Sequence, residues 1–375
     1  MRKIASHYLM SGGKLIKNPI ITLTNSGEVL SVEQNVKDID SIAEVEFHNG
    51  LLIPGMVNSH SHLEYSYVLG KIKRGSGLPN FISSIINIKM TDPTSDAVKA
   101  QKAADEDAKM SEEGVVAVAD HNNNDYVIDI KTKSKIYYHS LIEMFDLDGK
   151  TSDEAFDWAM SRVKAHIDKK LAATIVAHAS YTMEDRLLAL CGGNAMSDKG
   201  VKATGVSSIH FKESVEMGGD KESDRIFASL TAERKNMLIH AIYASKNDID
   251  RAVELLGNKL TVVTCPMSNL FIENKITDIN YLIKKGVNIA IGTDSLSSNT
   301  VISMVAEMRC LQEHYPNIPL QTIVQWATEN GARALDIESW AGSVEVGKRC
   351  GIVNISGVNF DTMTLTENSR GHRII

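Results

Sequence analysis

Eight times along the middle of this chain a short apolar run gives way to a polar loop and then to a segment of helical spacing. The runs are Leu51 to Val57, Val115 to Ala119, Lys135 to Leu141, Ala173 to Ala177, Val206 to Ile209, Met237 to Ile239, Leu260 to Thr264 and Asn288 to Ile291. Each is strand-sized, and strands that alternate with helices build a parallel sheet. The period alone leaves a closed barrel and an open doubly wound sheet both standing. No Gly-rich loop of the GxGxxG or GxxxxGK type follows any run. What does follow, run after run, is His, Glu or Asp, and the C-terminal strand ends are where a (β/α)8 TIM barrel carries its chemistry. The expectation is an α/β chain with such a barrel over residues 51–341.

The flanks read differently. Ile20 to Leu23 and Val29 to Val32 alternate around the turn Asn25-Ser26-Gly27, and a similar signature returns in Gly342 to Gly347 and Gly351 to Ile355. Residues 1–50 and 342–375 are therefore expected to form one small β-sandwich domain. With 43% hydrophobic and 23% charged residues, disorder is excluded as the main state. The net charge of −7 and the lack of any Lys/Arg-rich run argue against nucleic-acid and membrane-surface partners. No apolar stretch approaches the ~20 residues of a membrane span. After Arg2 and Lys3, polar residues and glycines interrupt any signal-peptide core. Cys191, Cys265, Cys310 and Cys350 form no CxxC pair and read as reduced thiols. A cytoplasmic protein is expected.

The strongest motif is Asn58-Ser59-His60-Ser61-His62. Histidines at i and i+2 on a strand end point to the same side, a ready pair of imidazole ligands for a borderline metal such as Zn²⁺. The fifth run ends in His210-Phe211-Lys212-Glu213; regular pleating would set His210 and Glu213 on opposite faces, so the chain must turn after His210 for both to face one site. The sixth run ends in His240 and the eighth in Gly292-Thr293-Asp294. His60, His62, His210 and Asp294 make a His₃Asp set that leaves a position for water. His121, after the second run, is a candidate pocket residue by position.

This constellation resembles the amidohydrolase superfamily over nearly the whole chain. Cys265-Pro266-Met267-Ser268-Asn269, the segment Gly292 to Asn299 and His178-Ala179-Ser180-Tyr181-Thr182 resemble its deaminase and chlorohydrolase branch. His60 to Ser66 and His210 to Ser214 look like the aminodeoxyfutalosine deaminases within that branch. The resemblance implies one Zn²⁺ per chain, since His178 stands where binuclear relatives place a lysine; Fe²⁺ overlaps in ligand chemistry. It further implies Glu213, His240 and Asp294 as catalytic residues beside a metal-activated water, and His178 and Glu64 at the substrate. The substrate would be a small molecule, a 6-aminopurine nucleoside such as aminodeoxyfutalosine losing ammonia; relatives often form homodimers, and the chain itself leaves its oligomeric state open. Ser180 replaces the usual Pro, and the link between the fifth and sixth strands is short, so substrate loops are expected to differ. Cys191 to Thr204 reads as a lid or as a plain surface loop. Two alternatives stay open: the same site acting as a chlorohydrolase or cyclic amidase, and a non-catalytic scaffold, against which the intact site residues argue.

Overall fold

A strand buried on both faces satisfies its backbone only by pairing on its edges, and that demand organises this chain. The computed structural model describes residues 1–375 apart from 38, 40–41, 147–148, 193–195 and 197–204, so most of the expected lid or loop at Cys191 to Thr204 lies outside the described residues. The strands are β1 (Arg2–Ala5), β2 (Tyr8–Ser11), β3 (Lys14–Lys17), β4 (Ile20–Leu23), β5 (Val29–Glu33), β6 (Val45–Phe47), β7 (Leu51–Pro54), β8 (Met56–Ser61), β9 (Val115–Asn122), β10 (Tyr137–Met144), β11 (Ala172–Ala177), β12 (Val206–Phe211), β13 (Lys235–His240), β14 (Leu260–Thr264), β15 (Asn288–Ile291), β16 (Ile352–Ser356) and β17 (Arg370–Arg373). The chain divides into two compact units, one of residues 1–58, 108–117 and 303–375, the other of 59–107 and 118–302, so that β8 and β9 each contribute to both.

In the first unit, one sheet has the order β5-β4-β1-β6 and another β17-β16-β7-β2-β3. The turn after β4 takes Gly27 to φ +83, a conformation that favours glycine, and β4 and β5 pair antiparallel as the alternation requires. Ile4, Ile21, Leu23 and Val29 from one sheet and Leu9, Leu52 and Ile352 from the other share one apolar cluster with Val344 and Cys350. Residues 342–347 form no strand, in contrast to the β signature of their sequence.

The apolar run Leu51 to Val57 is two strands rather than one. β7 pairs antiparallel with β16 and parallel with β2, whereas β8 joins the sheet β11-β10-β9-β8. The break is Gly55, whose N–H donates to the Cys350 carbonyl at 3.1 Å; a Cβ there would stand 2.5 Å from that oxygen. Both strands are wholly buried, so hydropathy does not mark the change of sheet.

A third four-stranded sheet runs β12-β13-β14-β15, all parallel. Parallel bridges Ala179↔His210 and Ser61↔Asp294 join its two edge strands to the edges of the β11-β10-β9-β8 sheet. At the first, the His210 N–H donates to the His178 carbonyl at 2.9 Å; at the second, the Thr293 and Asp294 N–H groups both donate to the His60 carbonyl at 3.0 Å. Capping boxes start two of the covering helices: Thr151 with Glu154 before Ser152–Asp168, and Ser245 with Asp248 before Lys246–Leu256. Among the described residues no helix is long and apolar enough to cross a membrane.

Candidate metal centre and active site

Four histidines and an aspartate converge where strands end. His60 and His210 each lie one residue inside the ends of β8 and β12, His62 directly follows β8, His240 closes β13, and Asp294 follows β15. Asp294 Oδ1 stands 3.7 Å from the Nε2 of both His60 and His62, and ring nitrogens of His60, His210 and His240 lie within 4.8 Å of one another. These spacings are too long for hydrogen bonds, and His60 Nε2 is buried without a partner. They fit a metal: ligand atoms on a tetrahedral ion with bonds of ~2.0–2.2 Å stand roughly 3.3–3.6 Å apart.

The donor atoms are aimed by the groups behind them. His60 Nδ1 meets His121 Nδ1 at 3.1 Å, and His121 Nε2 meets Ser208 Oγ at 2.9 Å. His210 Nδ1 donates to the His178 carbonyl at 2.9 Å and His240 Nδ1 to Asn269 Oδ1 at 2.8 Å, which leaves each Nε2 as a lone pair. Asn269 is held in turn by Thr277, whose hydroxyl donates to the His240 carbonyl at 2.6 Å. Asp294 Oδ2 accepts from Ser268 at 2.6 Å and Ser298 at 2.9 Å, leaving Oδ1 for the histidines. Ser268 and Asn269 reach the site because Pro266 begins the helix Pro266–Glu273 directly after β14, Pro being favoured at a helix's first position.

Backbone strain concentrates at the same strand ends. His240 and Asp294 sit at φ +68 and +56, and Lys212 at φ +47. Non-glycine residues adopt such angles only when surrounding contacts impose them. The turn at Lys212 lets His210 and Glu213 line one cavity despite their odd spacing.

Burial sets the charges. It holds the imidazoles of His60, His178, His210 and His240 below their ordinary range and takes His62 down to about 4, so the rings are neutral donors. For Asp294 burial pulls upward, yet His62, His240 and the Ser268 hydrogen bond outweigh it and the carboxylate stays ionised. Glu213 is pushed by burial up to about 7, held back by His240, whose Nε2 is 3.8 Å away, and by the Tyr181 hydroxyl, which donates at 2.5 Å.

The cavity measures about 580 Å³ and is lined by His62, His178, His210, Glu213, His240 and Asp294 on its polar side. Helix α1 (Leu78–Thr91) adds Phe81, Ile82, Ile85 and Ile86 to the lining, together with the cation of Lys89. His121 and Glu64 do not line it. His121 lies behind His60, and Glu64 Oε2 accepts from the Asn123 and Asn124 N–H groups at 2.9 Å, holding the loop from which Asn123 faces the cavity. A residue outside every motif does line it: Glu143, buried at the end of β10, with its carboxyl raised well above the usual range by burial and then by Glu64. The apolar run suggested a strand ending at Leu141, whereas β10 continues to Met144, and that shift carries Glu143 to the mouth. The one signal for it was a lone carboxylate in the otherwise apolar stretch Leu141-Ile142-Glu143-Met144.

Imidazoles and carboxylates gathered at strand ends over a cavity of small-molecule size define a metal-site enzyme of mixed α/β architecture. The amidohydrolase family model matches residues 51–368, and the chain belongs to that family, hydrolases acting on C–N bonds. It is 23% identical over 375 residues to an aminodeoxyfutalosine deaminase of Nitratiruptor sp., covering 93% of this chain and 89% of the relative. The fold is shared with Helicobacter pylori aminofutalosine deaminase in complex with methylthio-coformycin, at a TM-score of 0.79, 18% identity and 100% coverage of both chains. It is also shared with a zinc-bound adenosine deaminase from Xanthomonas campestris, at a TM-score of 0.77 and 20% identity, covering 97% of this chain and 87% of that one.

Proposed function

We propose that this chain is a metal-dependent deaminase of an aminated heterocycle, a 6-aminopurine nucleoside-type compound such as aminodeoxyfutalosine. One Zn²⁺ would be held by His60, His62, His210 and Asp294. The observation that carries the reading is Glu213: a buried carboxyl poised near neutrality, facing His240 across 3.8 Å, in the same cavity as the His/Asp cluster. A general acid/base works best when its pKa lies near the operating pH.

Zinc, when bound, supplies an activated water, lowering its pKa from 15.7 to about 7. Glu213 would take a proton from the attacking water, whose oxygen would add to the ring carbon bearing the amine, and would deliver it to the adjacent ring nitrogen. The hydroxyl proton of the resulting tetrahedral adduct would then pass through Glu213 to the amine, the C–N bond would break as the ring carbonyl forms, and ammonia would leave. Tyr181, donating to Glu213 Oε1, keeps Oε2 turned toward His240. His240, its Nδ1 proton committed to Asn269, offers Nε2 as the acceptor that orients the attacking water. Asp294 assists by accepting at Oδ1. His178, with Nδ1 on Thr182 Oγ1 at 3.1 Å, presents Nε2 to the heterocycle. Glu64 acts through Asn123, and His121 through His60.

The names of the relatives support a purine-type substrate, and the apolar wall of α1 suits the burial of an aromatic or aliphatic substituent. The same reading takes the two bridged four-stranded sheets as a closed (β/α)8 barrel in a catalytic domain of residues 51–341. The cluster shared by the two sheets of the first unit supports a small β-sandwich from 1–50 and 342–375.

The test is ammonia release by zinc-loaded protein over a panel of 6-aminopurine nucleosides, aminodeoxyfutalosine included, with Glu213→Gln as control. Release from at least one of them, reduced about 10²- to 10⁴-fold by the substitution, is expected. Equal release by the variant would remove Glu213 from the proton path, and silence across the panel from metal-replete protein would remove the substrate class.

A further inference from the structure

A histidine that binds metal through one nitrogen almost always engages the other with a carboxylate, carbonyl or similar group, which fixes tautomer and ring orientation. Two of the three proposed histidine ligands do so already, His60 meeting His121 and His210 donating to the His178 carbonyl, and His240 beside them donates to Asn269. His62 Nδ1 is the exception, buried and without a hydrogen-bond partner. Facing it at 3.8 Å is Oε2 of Glu143, and Glu143 Oε1 is likewise buried without a partner. Oε1 stands 3.7 Å from His210 Nδ1, but that nitrogen already donates to the His178 carbonyl at 2.9 Å. Within this part of the site, the unanswered donor position on His62 and the unanswered carboxyl oxygen of Glu143 have each other.

Resting on the metal site proposed above, we infer that Glu143 is the positioning residue of His62: it takes the Nδ1 hydrogen bond and so holds Nε2 toward Asp294 and the metal. Closing the gap from 3.8 Å to hydrogen-bond length needs about 1 Å of side-chain movement, within reach of a small rotation at the end of a Glu. Glu143 thus does for the second histidine of the pair what His121 does for the first, from a strand end that no motif marks. Because Glu143 also lines the cavity, the competing role is a contact to substrate, and the two roles part in measurement.

The experiment uses the full chain. Zn²⁺ affinity is measured by competition with a chromophoric chelator and the visible spectrum of the Co²⁺-substituted protein is recorded, for wild type, Glu143→Ala, Glu143→Leu and Glu143→Gln, alongside kcat and KM. Glu143→Ala is expected to weaken Zn²⁺ by about 10- to 100-fold and to alter the Co²⁺ bands. Glu143→Gln, which keeps an acceptor oxygen, should recover most of the affinity. Glu143→Leu, close in volume to Glu, replaces the alanine variant if that one does not fold. Unchanged affinity and Co²⁺ spectrum with a raised KM would overturn the positioning role in favour of substrate contact. A wild type that binds neither ion would instead overturn the metal site itself, and the inference with it.

Discussion

In the first unit Ile4, Leu9, Ile21, Leu23, Leu52 and Ile352 bury apolar surface against one another, and contact alone satisfies them. At the strand ends of the second unit the buried side chains are His60, His62, Glu143, His210, Glu213, His240 and Asp294. There contact alone satisfies nothing: nitrogens and carboxylate oxygens are left unpartnered, and His240, Asp294 and Lys212 hold left-handed backbone. Burying unpaired polar atoms and straining the backbone both cost stability. The difference teaches that the two regions are organised toward different ends, the first toward folding and the second toward holding a ligand that the fold does not itself contain.

Breaking each region should therefore fail in its own way. His60→Ala removes a ligand atom, and Zn²⁺ affinity should fall by more than the ~100-fold attached to supporting residues, while the metal-free variant still folds. Metal content after dialysis together with thermal melting would check this; full zinc occupancy in the variant would erase the contrast. Leu52→Ala should do the reverse, lowering unfolding free energy by about 2–5 kcal/mol in denaturant titration with Zn²⁺ affinity of the folded protein unchanged.

A third measurement sharpens the comparison through pH. Burial raises Glu213 from 4.5 to about 7, so between those values the folded, metal-free protein binds more protons than the unfolded chain. Stability from this group is then fully present below about pH 4.5 and is lost as pH rises through 7. Metal-free Glu213→Gln should lack that loss and gain on the wild type by at most about 3 kcal/mol by pH 8. Parallel stability-versus-pH curves would show that the carboxyl is not held near neutrality. The smallest effect is expected at Ser245→Ala, which removes the capping box of Lys246–Leu256; about 1 kcal/mol of stability should go, with zinc affinity and turnover untouched.

Much of this was legible in the chain, and the exceptions share a cause. The expected run Leu260 to Thr264 coincides with β14, and Asn288 to Ile291 with β15, because a short apolar run bounded by polar residues has few other ways to be buried. The placement of His60, His62, His210, His240 and Asp294 at strand ends followed from the same boundaries. Leu51 to Val57 concealed a change of sheet because both strands are buried alike. Glu143 was hidden because β10 runs three residues past the expected end, carried by its pairing with β11 through Met144↔Ala177.

What the sequence by itself determined is which side chains stand at strand ends, since hydrophobic runs and period-two pleating are local properties of consecutive residues. What only the tertiary structure decided is how those side chains are aimed. His60 is oriented by a residue 61 positions away, His240 by one 29 away, and Asp294 bridges to β8 across 233 positions. The direction of a nitrogen lone pair depends on the partner of the opposite nitrogen, and that partner exists only once the strands are side by side.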